Sequence, residues 1–224
     1  MARQHSIRWA SLLVLVVHFL LSASVWADDS ELWVSGNYRF WQSEDKQTKA
    51  SFYSEARFQD DMGSLYGAFA GPTLRHNVNR YLQAGAAFKF ITFRNGSGVF
   101  DPRTRIELEL TPKFRFGKKE QYQISLRNRF ELFHNKGVDD IRRLRYRLEF
   151  SRNIDGNELI NGIYTSQEWV YRRTDGSYGL NQYRFIPIGL KLKPSSDYSM
   201  KVFYMLYRRN SGLYSHNLGM SFSF

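Results

Sequence analysis

The sequence predicts an all-β fold, a single transmembrane up-and-down antiparallel β-barrel. Three observations carry this expectation. After the first 27 residues the chain divides into segments of about ten residues in which apolar and polar side chains alternate, the period of a strand with two unlike faces. The stretch "RLRYRLEF" at 143–150 shows the contrast in full: Arg143, Arg145, Arg147 and Glu149 share one face, and Leu144, Tyr146, Leu148 and Phe150 the other. The segments are also long. Strands of soluble sandwiches average five or six residues, whereas a tilted strand needs ~9–11 to cross a bilayer.

The chain opens with "MARQHSIRWASLLVLVVHFLLSASVWA". Arg3 and Arg8 precede a short apolar core, Ser11–Leu21, and Val25-Trp26-Ala27 loosely fits the small-x-small cleavage rule. This is the pattern of a secretory signal peptide. Residues 1–27 are expected to be removed and residues 28–224 to form the barrel. The apolar core is shorter than the ~20 residues of a spanning helix, and no later segment approaches that length.

Composition agrees with a chain whose two faces meet different solvents. Mean hydropathy is −0.49, yet 17% of residues are aromatic, with 18 Phe and 14 Tyr. The absence of cysteine excludes disulfides and thiolate metal sites together. The formal charge is +11, about +9 without Arg3 and Arg8. Such an excess commonly marks nucleic acid or anionic membrane as a partner. Here the arginines are interleaved with apolar residues at period two and not clustered in a patch, which turns the reading away from nucleic acid.

In chain order, strands are expected near 31–41, 49–58, 64–75, 81–93, 104–116, 121–134, 142–151, 162–173, 182–193, 198–209 and 214–224. The breaks are polar and turn-rich, among them "DDMG", "NGSGVFDP", "TDGSYG" and "RNSG". Alternation is sharp in 104–116, where Ile106, Leu108, Leu110, Phe114 and Phe116 oppose Arg105, Glu107, Glu109, Lys113 and Arg115, and in 121–134, where Tyr122, Ile124, Leu126, Phe130 and Leu132 oppose Arg127, Arg129 and Glu131. It is weakest in residues 28–80. Bacterial single-chain barrels have even strand counts, so about twelve strands are expected, one of them missed or split in that region; ten is the alternative.

An arginine facing lipid near the midplane costs ~2–4 kcal/mol. The apolar face is therefore expected outside and the charged face inside. Aromatics near strand ends, Phe93, Phe116, Tyr122, Phe150, Tyr171 and Tyr198, suit interfacial girdles. The candidate lumen set is Arg105, Glu107, Glu109, Arg115, Arg127, Arg129, Glu131, Arg145, Arg147, Glu149 and Glu168, with Glu55 on the same face and Arg143 and Arg172 near strand ends. Two readings of it stay open. Guanidinium forks bind carboxylate or phosphate in bidentate fashion, as an anion-attracting track would; paired with the interspersed acids, the same residues form a plug that braces a narrow barrel.

The chain ends in "NLGMSFSF", where Asn217, Gly219, Phe222 and Phe224 give a polar-x-Gly-x-x-aromatic-x-aromatic pattern. It resembles the signal that the barrel assembly machinery reads in bacterial outer-membrane barrels. The repeated "RNRFE" and "RYRLEF", the early Trp33, "EARF" at 55–58, "QYRFIPIGLKLK" and the closing "GMSFSF" together resemble small bacterial outer-membrane proteins catalogued only as a domain of unknown function. The resemblance spans roughly residues 31–224. It implies a barrel in the bacterial outer membrane, in contact with lipid and lipopolysaccharide, and brings neither an activity nor catalytic residues.

Little else points to chemistry. A barrel enzyme acting on acyl chains needs a Ser activated by a His, usually two residues apart on one strand face. None of His76, His134 and His216 has a Ser at that spacing. The loop pairs Asp60-Asp61 and Asp139-Asp140 lack a calcium-loop pattern, and the glycines of "GSLYG" and "NGSG" precede no helix that would make a phosphate cradle. No catalytic residue, metal or cofactor is expected. The expected function is a narrow passive channel for small solutes, anions among them, through an Arg/Glu-lined lumen. A closed structural or interaction barrel is the first alternative and a lipid-modifying enzyme the second; the sequence fixes neither a solute nor an oligomeric state.

Overall fold

The computed structural model describes residues 30–135, 138–157, 159–209 and 214–224; the leader lies outside them. The chain forms strands β1 (Ser30–Gln42), β2 (Thr48–Gln59), β3 (Ser64–Asn77), β4 (Leu82–Arg94), β5 (Phe100–Phe116), β6 (Tyr122–Asn135), β7 (Val138–Asn153), β8 (Ile160–Thr174), β9 (Ser177–Leu192), β10 (Ser199–Arg209) and β11 (Tyr214–Ser223). Among the described residues the only helical element is a single 3₁₀ turn at Lys118–Glu120. Each strand pairs antiparallel with the next, and β1 closes on β11 to complete the barrel.

The turns form where the sequence allows them. Asp175 and Gly176 join β8 to β9 with φ of 51° and 84°, the pair of positive values that a type I′ hairpin requires and that Asp-Gly adopts readily. In the β1–β2 turn the Ser43 hydroxyl donates to Asp45 at 2.5 Å and the Gln47 N–H donates to the same carboxylate oxygen at 2.9 Å. These bonds, the hydroxyl's foremost, hold the Asp45 carboxyl below the usual carboxylate range.

Among the described residues the strands number eleven, one fewer than the twelve that parity suggested. An even count makes the first and last strands antiparallel. Here β1 and β11 run parallel, in register from Ser30 opposite His216 to Asn37 opposite Ser223. The terminal residue extends this seam: the Phe224 N–H donates to the Asn37 carbonyl at 3.0 Å, and the Arg39 N–H donates to the Phe224 carbonyl at 3.3 Å. From residue 30 to residue 80 the chain contains β1, β2 and β3 and no further strand. Alternation is faint there because several inward positions, among them Trp33, Phe69 and Gly71, are themselves apolar or small and interrupt the charged ones, Glu31, Glu55 and Arg57. Trp33 and Phe69 point inward and are buried, and Gly67 and Gly71 lie on β3. Where the inner face carries an apolar or small residue, period two loses its contrast.

Elsewhere the two faces separate cleanly. On β5 the successive residues Ile106, Leu108, Leu110 and Phe114 are 46–57% exposed, whereas Arg105 and Glu107 between them are 6% and 3% exposed. The charged residues are inside and the apolar ones outside, the inverse of a water-soluble protein. Inside, two apolar clusters form: Trp33, Tyr164, Ile186, Met205 and Tyr207, and Phe69, Ile91 and Phe133. Two glycines make room for inward rings. Phe203 pairs with Gly219, and a Cβ on Gly219 would lie 2.0 Å from the Phe203 ring; one on Gly189 would lie 2.3 Å from the ring of Tyr164, its cross-strand partner.

Candidate functional site

The charged interior is a lattice with three buried carboxylates as nodes. Glu107 sits 2.5 Å from Arg105, 3.0 Å from Arg129 and 3.2 Å from Lys89. Glu131 accepts a hydrogen bond from Arg145 at 2.6 Å and stands 3.7 Å from both Arg105 and Arg129. Glu168 serves four guanidinium groups: Arg127 at 2.7 Å, Arg145 at 2.8 Å, Arg147 at 3.1 Å and Arg184 at 3.2 Å. Glu109, less buried, accepts from the Nε and Nη2 of Arg129 at 3.0 and 2.8 Å.

Register explains why these side chains meet. Arg127 lies opposite Arg147, Arg129 opposite Arg145, and Glu107 opposite Glu131. Like charges directly opposite one another destabilise a sheet. The next strand supplies the counter-charge: Arg147 faces Glu168, which in turn faces Arg184, while Arg129 faces Glu109. Charge pairing therefore runs around the barrel, across four or five strands at one height, instead of along any single strand.

The lattice rests on aromatic faces. The Arg57 guanidinium lies 3.8 Å from the Trp33 ring centroid and 4.5 Å from that of Phe69; Arg143 lies 4.5 Å from Phe133; Arg184 lies 5.0 and 5.2 Å from Trp33 and Tyr207; and the Lys89 ammonium lies 4.0 Å from Tyr53. Each is within cation–π range. On this side the lumen is filled: Glu31, Trp33, Phe69, Ile91, Phe133, Val170, Met205 and Tyr207 are all buried, and Trp33 and Tyr66 donate to Glu31 at 2.9 and 2.7 Å. On the other side, toward the C-terminal end of β11, a cavity of about 320 Å³ remains. Arg127, Arg129, Arg145, Arg147, Glu109 and Glu149 line it, and its outermost residues Arg75, Ser199, Lys201 and Ser223 are exposed. The cavity is a vestibule open at one end, with the buried layer at its other end.

Of the residues singled out in the sequence, Arg105, Glu107, Glu109, Arg127, Arg129, Glu131, Arg145, Arg147 and Glu168 come together in this lattice. Glu149 stands apart on the vestibule wall, 4.0 Å from Lys191. Arg115 lies outside the lattice. It is exposed, 3.9 Å from Glu120 near the β5–β6 turn, and its Nε donates to Gln123 at 3.1 Å. Arg57, Lys89 and Arg184 belong to the interior and were not singled out. Lys89 and Arg184 have only uncharged residues two positions away on the same face, Ala87 and Ile91 and then Gln182 and Ile186, so no charged stripe marks them; Arg57 follows Glu55 on its face, and that spacing was the signal for it.

At the C-terminal strand, Asn217 is fully buried and its Nδ2 lies 3.5 Å from the Ser215 hydroxyl. Gly219 underlies Phe203, Phe222 is half-buried, and the exposed Phe224 ring lies 6.0 Å from that of Tyr198. The three histidines each have a partner other than serine: His76 bonds Thr48 at 2.9 Å, His134 bonds Asp140 at 2.9 Å, and His216 bonds the Tyr204 hydroxyl. Among the described residues no group of three or more His, Asp or Glu side chains is arranged to hold a metal ion.

Comparison with known proteins gives one match. Residues 30–212 fit the model of a family described as "Protein of unknown function (DUF2490)". No curated protein and no solved structure matches the chain. The family match takes in β1 through β10, and with them the lattice, the aromatic floor and most of the vestibule wall; the chain belongs to the DUF2490 family.

Proposed function

We infer that this chain is an outer-membrane β-barrel whose lumen is closed to through-passage, a barrel braced from within that does not act as a pore. The observation that carries the membrane reading is the outward belt. Among the described residues twenty-seven large apolar side chains are exposed, from Tyr38 and Phe40 on β1 to Phe224, with every strand but β10 contributing. In water an apolar surface of this extent drives association; in a bilayer it is solvated. Among the described residues no helix is long and apolar enough to cross a membrane, so strands make the crossing, as closed barrels do by satisfying their backbone internally. The leader and the C-terminal pattern support export and assembly in the outer membrane of a Gram-negative cell.

The closed reading is favoured over the channel by the filled half of the lumen. The side chains of Glu31, Trp33, Phe69, Ile91, Phe133, Val170, Met205 and Tyr207 are buried beyond the vestibule. The lattice is held by hydrogen-bonded, buried ion pairs that would have to break together to open a path. Purified protein in planar bilayers tests this reading. Wild type is expected to give no steady conductance, while a variant that truncates the floor, Trp33→Ala with Phe133→Ala, conducts. Stable, anion-selective steps from the wild type would restore the channel.

A further inference from the structure

We propose that the vestibule is a binding site for a small hydroxylated anion, of the class of a sugar phosphate. The first reason is unbalanced charge. Ten Lys and Arg side chains line the cavity against four Glu. The buried Glu31, Glu131 and Glu168 behind the wall raise the acids to seven, leaving an excess of three positive charges around a partly dehydrated space. Low-dielectric walls concentrate such a field and attract a counter-ion.

The second reason is the way the arginines are used. Arg127 and Arg147 face each other across β6 and β7 and share Glu168 with Arg145 and Arg184. One carboxylate cannot satisfy four forks. Arg147 gives Glu168 only its Nε, at 3.1 Å, and its two Nη groups have no acceptor among the described residues. At the rim, Arg75 and Lys201 have no ion pair with any described acid; Lys201 lies 5.1 Å from the Tyr164 ring. A phosphate entering the vestibule meets free donors in the planar geometry that guanidinium offers to its oxygens.

The third reason is the opposite wall. Ser35, Asn37, Ser199, Ser221 and Ser223 line the cavity across from the arginines, a neutral surface of hydroxyl and amide groups able to donate to and accept from ligand hydroxyls. About 320 Å³ is at the lower end of small-molecule sites, roughly 300–1,000 Å³; a phosphorylated monosaccharide suits it, and the closed floor leaves no exit for a polymer. The proposal rests on the charge and the free donors of the vestibule wall and is independent of the closed-lumen reading and of where in the cell the barrel resides.

The test is calorimetric titration of the refolded barrel in detergent with glucose 6-phosphate, inorganic phosphate and glucose. Saturable binding of glucose 6-phosphate is expected, tighter than inorganic phosphate, with glucose showing none. Arg147→Gln should weaken binding about tenfold, as loss of a hydrogen bond to a charged group does. Lys201→Gln, which removes no ion pair, should weaken it several-fold with unchanged unfolding. Ser221→Val should narrow the preference for the sugar phosphate over phosphate. No saturable binding, equal binding by wild type and Lys201→Gln, or equal affinity for phosphate and glucose 6-phosphate would each overturn the proposal; if Arg147→Gln does not fold, Lys201→Gln and Arg75→Gln decide. Conductance separates the two readings. A conducting barrel that still binds removes only the closed-lumen reading, and a non-conducting barrel without binding removes only this one.

Discussion

Replacing Glu168 with Gln measures how much the lattice braces the barrel. The substitution keeps size, removes one charge and turns one of the two accepting oxygens into an NH2 donor, so two of the four guanidinium contacts lose their acceptor. Four guanidinium groups lose their shared acid, but unequally. Arg145 retains Glu131 at 2.6 Å, and Arg127 retains Glu109 at 3.8 Å. Arg147 loses its only acid but is 27% exposed toward the vestibule, where water can solvate it. Arg184 loses its only acid while 8% exposed and enclosed by Trp33 and Tyr207. The penalty is therefore mainly that of one stranded buried cation, about 3–5 kcal/mol, with a further ~0–1 kcal/mol from Arg147.

Urea unfolding in detergent micelles, followed by tryptophan fluorescence, reads this loss directly, because Trp33 contacts Arg184. Adding Arg184→Leu to Glu168→Gln removes the stranded charge and should recover most of the stability. Glu149→Gln is the control: its one basic neighbour is 4.0 Å away, and a loss below about 1 kcal/mol is expected. If Glu168→Gln unfolds within ~0.5 kcal/mol of wild type, or if Arg184→Leu makes it worse, the interior charges are hydrated and independent and the brace argument is wrong.

Three further perturbations probe the outer face, the seam and the glycine contact. Leu148 is outward and 42% exposed; Leu148→Arg should cost about 2–4 kcal/mol in lipid vesicles if the site is near the midplane, and an unchanged urea midpoint there would refute the lipid-facing assignment. Deleting Phe224 removes two backbone hydrogen bonds to β1, worth about 1–3 kcal/mol in detergent, whereas the heat-modifiable barrel fraction in cells should fall far more; equal assembly would sink the signal reading of Asn217, Gly219, Phe222 and Phe224. Gly219→Ala should destabilise by about 1–3 kcal/mol through its clash with the Phe203 ring, and Phe203→Leu should relieve it; additive losses would show that the ring moves freely.

Which side of the barrel a residue faces was legible because a strand's period is two and Arg cannot be spared from Glu in an apolar setting. On "RLRYRLEF" the assignment needs nothing beyond the order of residues. Which residues touch was not legible, since contact depends on register between strands. Glu168 meets Arg184 through the β8–β9 pairing, which contains shifts between Tyr164 and Ser166 and between Val170 and Tyr171. A one-residue error on either strand would turn Arg184 outward. The even-count expectation failed for a related reason: closure is a property of the last pairing, and nothing in β1 or β11 alone states whether the other will run parallel to it.

The same limit decides how the arginine stripe should be understood. Read along one strand, Arg143, Arg145 and Arg147 form a basic run that attracts anions. Read around the barrel, the run divides by height. Arg143 ends on the Phe133 ring. Arg145 is held between Glu131 and Glu168. Arg147 shares a carboxylate and keeps donors free on the vestibule side. One strand thus supplies an aromatic-backed plug, a brace paired to two carboxylates and an incompletely paired surface toward the vestibule, about two residues or ~7 Å apart at each step. If the vestibule binds an anion as proposed, the two readings that the sequence left as rivals apply at different depths of one lumen: a change at Arg145 should be read out in stability and a change at Arg147 in binding.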